Sequence, residues 1–348
     1  MHSIEINGRT IGKEFPPFII AELSGNHNGS IDRAIKLINE AKASGADAIK
    51  LQTYTPDTMT IKCNFNDFQI KKGPWKGYTL YELYKEAQTP FEWQKELFEY
   101  AKKIDITIFS TPFDESAVDL LEDLNTPAYK IASFEVIDIP LISYVASTKK
   151  PIIISVGMAT ELEISEALDA IYSAGCSDVA LLHCISSYPA KTSEFNLRNI
   201  PELEDRFGTV VGVSDHTLEN TVSIGAISLG ASIVEKHLTI NRLEKGPDSA
   251  FSIEPHELND LCKQVKDVWE SLGNVKFGAS KSELDSIIFR RSLYFVKDLT
   301  EGQQIQASDI RRIRPGYGLP PKMESEIIGK KLTSNVTRGT AVKMEHLG

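Results

Sequence analysis

The chain has 348 residues, of which 41% are apolar and 25% are charged, and its formal net charge is −10. This composition is typical of a folded globular protein, and the negative charge argues against nucleic acid or an anionic membrane as a partner. The amino-terminal segment MHSIEINGRTIG lacks the apolar core of a signal peptide, and no segment is long and apolar enough to span a bilayer. We therefore expect a cytoplasmic protein. The cysteines form no CxxC pair and are expected to be free thiols, at Cys63, Cys176, Cys184 and Cys262.

Short β-branched runs alternate with longer amphipathic segments along most of the chain. The runs are, in chain order, FIIAEL, AIKLQT, TIFST, AYKIAS, PIIISVG, VALLHC, VVGVSD and SIVEKHLT. Segments such as IDRAIKLINEAKASG and PFEWQKELFEYAKK have helical spacing between them. The alternation predicts parallel strands joined by right-handed crossovers, and eight strands close a (β/α)8 TIM barrel. An open doubly wound sheet is the alternative, but no GxGxxG motif follows the first run.

The pattern changes after the helical segment PHELNDLCKQVKDVWESLG. We place the barrel at residues 1–272, a linker at 273–289 and a small domain with short strands at 290–348. A long spacer, NFNDFQIKKGPWKGYTLYELYKEAQT, follows the second strand. Its length predicts a lid that carries a small helix at TLYELYKEA.

The carboxyl ends of the predicted strands bring polar side chains together, since this is the face of a TIM barrel that carries the chemistry. These residues are Glu22, Lys50, Gln52, Ser110, Thr111, Lys130, Ser133, Ser155, His183, Tyr188, Asp215, His216, Glu235 and His237. His216 and His237 end neighbouring strands, which lie about 4.8 Å apart, so both imidazoles could bind one divalent ion. The alternative is that they only form hydrogen bonds within the barrel mouth.

Lys50 and Lys130 come from apolar strands, where an unpaired ammonium is costly to bury. One interpretation is that both face an anionic substrate carrying phosphate and carboxylate, with hydroxyl donors from Thr111, Ser133 and Ser155. Two alternatives stay open: buried pairing with Glu22 or Glu235, and a Schiff-base lysine of an aldolase. Glu22 lies between apolar residues and is expected near the lysines, so it is either a general acid or base or a charge partner.

The chain also resembles the sialic acid synthase family, the nonulosonate synthases, over nearly its whole length. The resemblance lies in IIAELSGNHNGS, IKLQTYTPDTM, FSTPFD, YKIAS, SVGMAT, LLHCISSYP, GVSDHT, EKHLT, GPD and IRPGYG. It implies a TIM barrel followed by a C-terminal antifreeze-like (SAF) domain. It also implies condensation of phosphoenolpyruvate with a six-carbon N-acyl sugar to give a nine-carbon keto acid and phosphate.

The resemblance further implies a role for each matching residue. His216 and His237 would bind a divalent ion, most often Mn²⁺, with Mg²⁺ or Co²⁺ as alternatives, and Glu22 would be the catalytic carboxylate. Tyr188 and Asp248 would face the acyl sugar, and Arg314 would enter the barrel of the other subunit in a domain-swapped homodimer. The phosphoenolpyruvate ligands would be Lys50, Thr111, Lys130, Ser133 and Ser155. Ser186 departs from the asparagine common at that place in sialic acid synthases.

Within the family, QTYTPDTMT, YELYKEAQTPFEW and YKIASFE are most similar to the pseudaminic acid synthases, which implies 2,4-diacetamido-2,4,6-trideoxy-L-altrose as the acceptor. The alternative is a manno-configured N-acyl sugar, as in N-acetylneuraminic or legionaminic acid synthases. Two other hypotheses are a Schiff-base aldolase acting on pyruvate and a non-catalytic sugar-binding module that keeps the barrel.

Overall fold

The computed structural model describes residues 2–348, and its largest element is a closed parallel barrel of eight strands. These strands coincide with the eight β-branched runs, so the predicted TIM barrel is confirmed, and the open sheet is excluded. Strands are numbered in chain order: β1 (Ile4–Ile6), β2 (Arg9–Ile11), β3 (Phe18–Glu22), β4 (Ala48–Thr53), β5 (Thr107–Pro112), β6 (Tyr129–Ile131), β7 (Ile152–Ser155), β8 (Val179–Cys184), β9 (Val210–Ser214), β10 (Ile233–His237), β11 (Ser292–Phe295) and β12 (Ile310–Ile313). Strands β3 to β10 form the barrel in chain order, and β10 closes it by pairing with β3.

Helices between successive barrel strands pack apolar side chains against the outside of the barrel, and one short helix belongs to the carboxyl-terminal unit. They are α1 (Ile31–Ser44), α2 (Pro56–Met59), α3 (Leu80–Ala87), α4 (Phe91–Lys103), α5 (Glu115–Asp123), α6 (Ile139–Ser147), α7 (Glu161–Ser173), α8 (Asn199–Phe207), α9 (Thr221–Ser228), α10 (Pro255–Leu272) and α11 (Glu324–Ile327). In α1, the Ser30 hydroxyl caps the first turn and Gly45 ends the helix at φ +95°. The small helix predicted in the long spacer is α3, which begins after a capping box formed by Thr79 and Glu82.

The amino end of the barrel is closed by a hairpin of β1 and β2, for which the sequence analysis predicted no element. Asn7 and Gly8 take φ +51° and +77° at its turn, a geometry that favours Asn-Gly in tight hairpins. Ile4, Ile6 and Ile11 pack into one apolar cluster with residues that begin or face inward from the barrel strands, including Phe18 and Ile233. The hairpin therefore fills the end of the barrel opposite the predicted site.

Residues 274–348 form a second compact unit with an apolar core of its own. Strands β11 and β12 pair antiparallel, and Leu293, Phe295 and Ile310 lie in the core of the unit. The segment predicted as a linker contains a 3-10 helix at Lys281–Phe289. No helix within residues 2–348 has the length and apolar character needed to cross a bilayer.

Candidate active site

A cavity of about 530 Å³ lies at the carboxyl ends of the barrel strands. Side chains at strand ends alternate between the barrel interior and the helix layer, so inward residues such as Lys50 and Gln52 flank the outward Leu51. Of the predicted site residues, those that line the cavity are Lys50, Gln52, Lys130, Ser133, Ser155, Tyr188, His216, Glu235, His237 and Asp248. Glu22 and Thr111 lie directly behind Lys50, whose ammonium contacts both.

The two histidines are brought together by the strand register. Ser214 at the end of β9 pairs with Glu235 on β10, and the same offset places His216 beside His237. Their ring centroids are 5.3 Å apart. Nδ1 of His216 lies 2.9 Å from the Ile185 carbonyl, and Nδ1 of His237 lies 3.1 Å from the Ser24 hydroxyl, so Nε2 of each ring is left for a ligand.

Both imidazoles are in the form that binds metal. Burial lowers the pKa of His216 to about 4, and burial together with the neighbouring His216 lowers the pKa of His237 well below its usual value. Neutral rings with free Nε2 atoms on the wall of a polar cavity fit a divalent ion. Across residues 2–348, no group of three or more His, Cys, Asp or Glu side chains is arranged around one metal position. An ion held by this pair would complete its coordination with water or substrate oxygen.

A third strand-end histidine behaves differently. His183 on β8 forms a hydrogen bond through Nε2 to the Phe195 carbonyl, and its ring packs edge-on against Phe195. Burial lowers its pKa as well. Since its Nε2 is already engaged with the backbone, His183 contributes to packing between β8 and the loop that follows it.

Lys50 and Lys130 form buried ion pairs with carboxylates at the bottom of the cavity. The Lys50 ammonium lies 2.9 Å from Glu22 and 3.1 Å from Glu235, and the Lys130 ammonium lies 3.7 Å from Glu235. Lys130 also donates a hydrogen bond of 2.7 Å to the Ser155 hydroxyl. The pairing that the sequence left open is therefore present, and both lysines nevertheless line the cavity.

Of the two carboxylates in the cluster, Glu235 is the more firmly ionised. Burial raises the pKa of Glu22, although the neighbouring Lys50 opposes this. Burial alone would raise the pKa of Glu235 too, but Lys130 and Lys50 outweigh it and keep that carboxylate ionised. Burial lowers the pKa of Lys130 to about 8. Two ammonium groups thus share one firmly ionised carboxylate, and the surplus favours an anion in the cavity.

Glu22 itself is fully buried. Its Oε1 accepts a hydrogen bond of 3.0 Å from the Ser24 backbone N–H, and its Oε2 faces the Lys50 ammonium. Glu22 is absent from the described residues that line the cavity. This position suits a residue that orients Lys50, and the catalytic role expected of Glu22 stays a prediction.

A second buried pair holds the turn that carries His216. Asp215 accepts hydrogen bonds of 2.8 Å from the Lys236 ammonium, the Thr217 backbone N–H and the Ser223 hydroxyl. Lys236 also donates to the carbonyls of Thr217 and Glu219. The network fixes the backbone on both sides of His216. Asp215 was predicted as a strand-end residue, but Lys236 was not predicted as its partner.

Aromatic side chains form the wall beside the histidines. The Tyr188 ring centroid lies 4.4 Å from that of His216 and 4.9 Å from that of Phe251. Trp75, from the long spacer, packs against Tyr188 at 5.5 Å. Asp248 accepts a hydrogen bond from the Gly25 backbone N–H, and burial raises its pKa.

Glu135 was missed by the sequence analysis. It lines the cavity from the loop after β6, and within the described part of the chain its Oε2 makes no hydrogen bond. Burial raises its pKa to about 7. Strand alternation carries no signal for it because its orientation depends on the loop. Ser214, the last residue of β9, also lines the cavity, and its place at the end of a barrel strand is a sequence signal for this position.

Arg314 belongs to the second unit. It lines a groove there with other arginines, Arg291, Arg311 and Arg312. This groove concentrates positive charge on one face of the small unit.

The comparisons with known proteins agree with this architecture. Residues 37–277 match the model of the NeuB family, and residues 290–348 match that of the SAF domain. A pseudaminic acid synthase of Helicobacter pylori is 41% identical over 95% of this chain and 98% of its own. An N,N'-diacetyllegionaminic acid synthase of Legionella pneumophila is 37% identical over 99% of this chain and 98% of its own.

A solved structure of an N-acetylneuraminic acid synthetase from Leptospira borgpetersenii matches with a TM-score of 0.73 and 31% identity, over 82% of this chain and 96% of that one. The resemblance stated from the motifs is thereby confirmed. The chain belongs to the NeuB family of nonulosonic acid synthases and carries a SAF domain at its carboxyl end.

Proposed function

We propose that the protein condenses phosphoenolpyruvate with 2,4-diacetamido-2,4,6-trideoxy-L-altrose to give pseudaminic acid and phosphate. The observation that carries the proposal is the cavity itself, in which a positively charged lysine pair lies next to two neutral histidines with free Nε2 atoms. The identity with the pseudaminic acid synthase of Helicobacter pylori supports this acceptor.

Lys50 and Lys130 would bind the phosphate and carboxylate of phosphoenolpyruvate. Hydroxyl groups of Ser133 and Ser155 line the same part of the cavity and would donate further hydrogen bonds. Thr111 lies 3.4 Å from the Lys50 ammonium and would orient it, as would Glu22. The anionic substrate would complete the charge balance of the cluster.

His216 and His237 would hold a divalent ion, with Mn²⁺ our first choice. When bound, such an ion supplies Lewis-acid polarisation of the aldehyde oxygen of the open-chain sugar. Tyr188 and Asp248 would position that sugar next to His216 and His237.

The reaction balances with one water molecule. C3 of phosphoenolpyruvate bonds to the aldehyde carbon, water adds at C2, and the C2–O bond breaks to release phosphate. The former aldehyde oxygen gains a proton, which Glu135 would donate because its carboxyl faces the cavity and its pKa is about 7. The proton that water loses on adding at C2 would restore the Glu135 carboxyl, and the proton of the C2 hydroxyl would leave with the phosphate. A Schiff-base aldolase would instead form a covalent adduct with pyruvate that borohydride traps on Lys50 or Lys130, and we expect no such adduct.

The second candidate is a manno-configured N-acyl sugar, which the identity with the Legionella pneumophila relative favours. A phosphate-release assay with phosphoenolpyruvate and altro and manno acyl sugars side by side separates the two. We expect the highest kcat/KM with the altro sugar, and loss of turnover after chelation that Mn²⁺ restores. Release that is equal or higher with a manno sugar would transfer the assignment to the second candidate. Phosphate release that is undiminished after chelation would show that the reaction needs no divalent ion.

We also propose that Arg314 completes the sugar site of a partner barrel in a domain-swapped homodimer. Its arginine-rich groove supports this role, since guanidinium groups suit polar sugar oxygens and the carboxylate of the product. Mixing inactive Arg314→Ala and His237→Ala proteins under exchange conditions should restore part of the activity, because one site of each mixed dimer is intact. No recovery despite proven exchange would contradict the swap.

A further inference from the structure

The segment between β4 and α4 supplies a distinct part of the cavity wall. Its side chains Met59, Ile70, Trp75, Leu80 and Leu83 all line the cavity. We call these five residues the apolar shelf. The polar groups described above come from the ends of barrel strands and from the loops after them, whereas this segment adds mainly apolar side chains to the cavity lining.

The apolar shelf is held in place. The Trp75 indole N–H donates a hydrogen bond of 2.7 Å to the Pro247 carbonyl, and its ring packs edge-on against Phe251 at 6.0 Å. Ile70 exchanges backbone hydrogen bonds with the returning part of the same segment: its N–H donates to the Tyr78 carbonyl and its carbonyl accepts from the Gly77 N–H. The shelf is therefore a positioned surface.

The apolar shelf is also incompletely covered. Met59, Ile70, Trp75 and Leu80 are half-buried, although they border a cavity rather than the outer surface alone. Apolar surface exposed to water in a cavity favours a ligand that brings apolar groups of its own. The one cation that the described part of this segment adds to the wall is Lys72, which is exposed.

We propose that the apolar shelf is the specificity-determining surface for the acceptor: it binds the methyl groups of a deoxy, N-acetylated sugar and discriminates against a sugar with a hydroxyl or phosphate at C6. The inference rests on the proposed function, in which the lysine pair would hold phosphoenolpyruvate and the acyl sugar would occupy the rest of the cavity, whose lining includes the shelf. A C6 hydroxyl or phosphate placed there would lose water and meet hydrocarbon.

The chain offers a matched pair of substitutions for the test. Ile70 and Ile61 lie in the same segment, but Ile70 lines the cavity whereas Ile61 is 62% exposed and does not line it. Ile70→Asn and Ile61→Asn thus make the same chemical change on and off the apolar shelf. Trp75→Ala is a second variant on the shelf, and thermal unfolding of each protein checks that it is folded.

The measurement is the ratio of kcat/KM for the trideoxy diacetamido sugar to kcat/KM for its 6-hydroxy and 6-phosphate counterparts, with phosphoenolpyruvate saturating. We expect Ile70→Asn and Trp75→Ala to lower this ratio about 10-fold or more, as for a lost methyl contact, and Ile61→Asn to leave it unchanged. The KM for phosphoenolpyruvate should stay constant in all three, because the lysine pair is untouched.

An unchanged ratio in both folded shelf variants would overturn the inference, and so would an equal fall in Ile61→Asn. The failure of the proposed function looks different. In that case the unsubstituted protein releases no phosphate from phosphoenolpyruvate with any acyl sugar, and the shelf assignment falls with it.

Discussion

Two clusters of buried charged residues lie at the same end of the barrel and consist of similar residues, but one is fully paired and the other borders the cavity. The sealed cluster, Lys236 with Asp215, is paired one to one, and Lys236 has further acceptors in the Thr217 and Glu219 carbonyls. The open cluster, Lys50 and Lys130 with Glu22 and Glu235, borders the cavity. Among the described residues, Oε2 of Glu235 finds no hydrogen-bond partner.

The difference shows how a buried lysine can be assigned to structure or to function. A buried ammonium that is fully bonded to a carboxylate and to carbonyl oxygens needs no ligand and fixes the backbone that it bridges. Two ammonium groups that share one firmly ionised carboxylate at a cavity wall leave positive charge for a ligand to neutralise. We therefore assign the sealed cluster to positioning His216 and the open cluster to binding an anion.

The largest effect on stability should come from the sealed cluster. Lys236→Met leaves Asp215 buried without its counter-ion, and we expect the free energy of unfolding to fall by about 3–5 kcal/mol. Urea denaturation followed by circular dichroism measures this loss. If Lys236→Met unfolds at the same urea concentration as the unsubstituted protein, the two clusters do not differ in the way described.

The matched change in the open cluster should affect binding instead. Lys130→Met removes one of two cations while Lys50 still pairs with Glu235, so we expect the free energy of unfolding to change by no more than about 1 kcal/mol. The Kd for phosphoenolpyruvate should rise about 10- to 100-fold, as for a lost hydrogen bond between charged groups. Titration calorimetry gives the Kd, and a Kd that stays the same would remove Lys130 from the anion site.

A smaller effect should appear in the pH dependence of that Kd. Burial lowers the pKa of Lys130 to about 8, so its ammonium is present below this pH and is lost as the pH rises through it. The affinity for phosphoenolpyruvate should therefore be highest on the acid side and should weaken above about pH 8, up to 10-fold per pH unit for one proton. A bound anion stabilises the Lys130 ammonium, so it can only raise the pH at which this weakening occurs. In Lys130→Met this break should be missing, and its persistence there would assign it to another group.

Much of this arrangement could be predicted from the sequence, for a local physical reason. Parallel strands that are buried on both faces form continuous β-branched runs, so all eight barrel strands were identified in chain order. The pairing of His216 with His237 followed from strand position alone. The length of the spacer likewise led to the small helix expected at TLYELYKEA, which is α3.

What the sequence did not predict depends on contacts between distant segments. Glu135 faces the cavity because of the conformation of its loop, and Lys236 points away from the barrel interior to reach Asp215. Alternation along β10 does predict that Lys236 and His237 face opposite sides, but not which acid Lys236 meets. The β1–β2 hairpin is different, because Asn7-Gly8 is a local sequence signal for its turn.

The most direct test of the central claim, that this cavity joins phosphoenolpyruvate to an acyl sugar by carbon–carbon bond formation, uses phosphoenolpyruvate labelled with ¹⁸O in the oxygen that bridges C2 and phosphorus. ³¹P NMR follows the released phosphate. We predict that phosphate appears only when the acyl sugar is present and that it retains the label, because water adds at C2 and the C2–O bond breaks. Unlabelled phosphate, or labelled phosphate formed equally well without the sugar, would contradict the account.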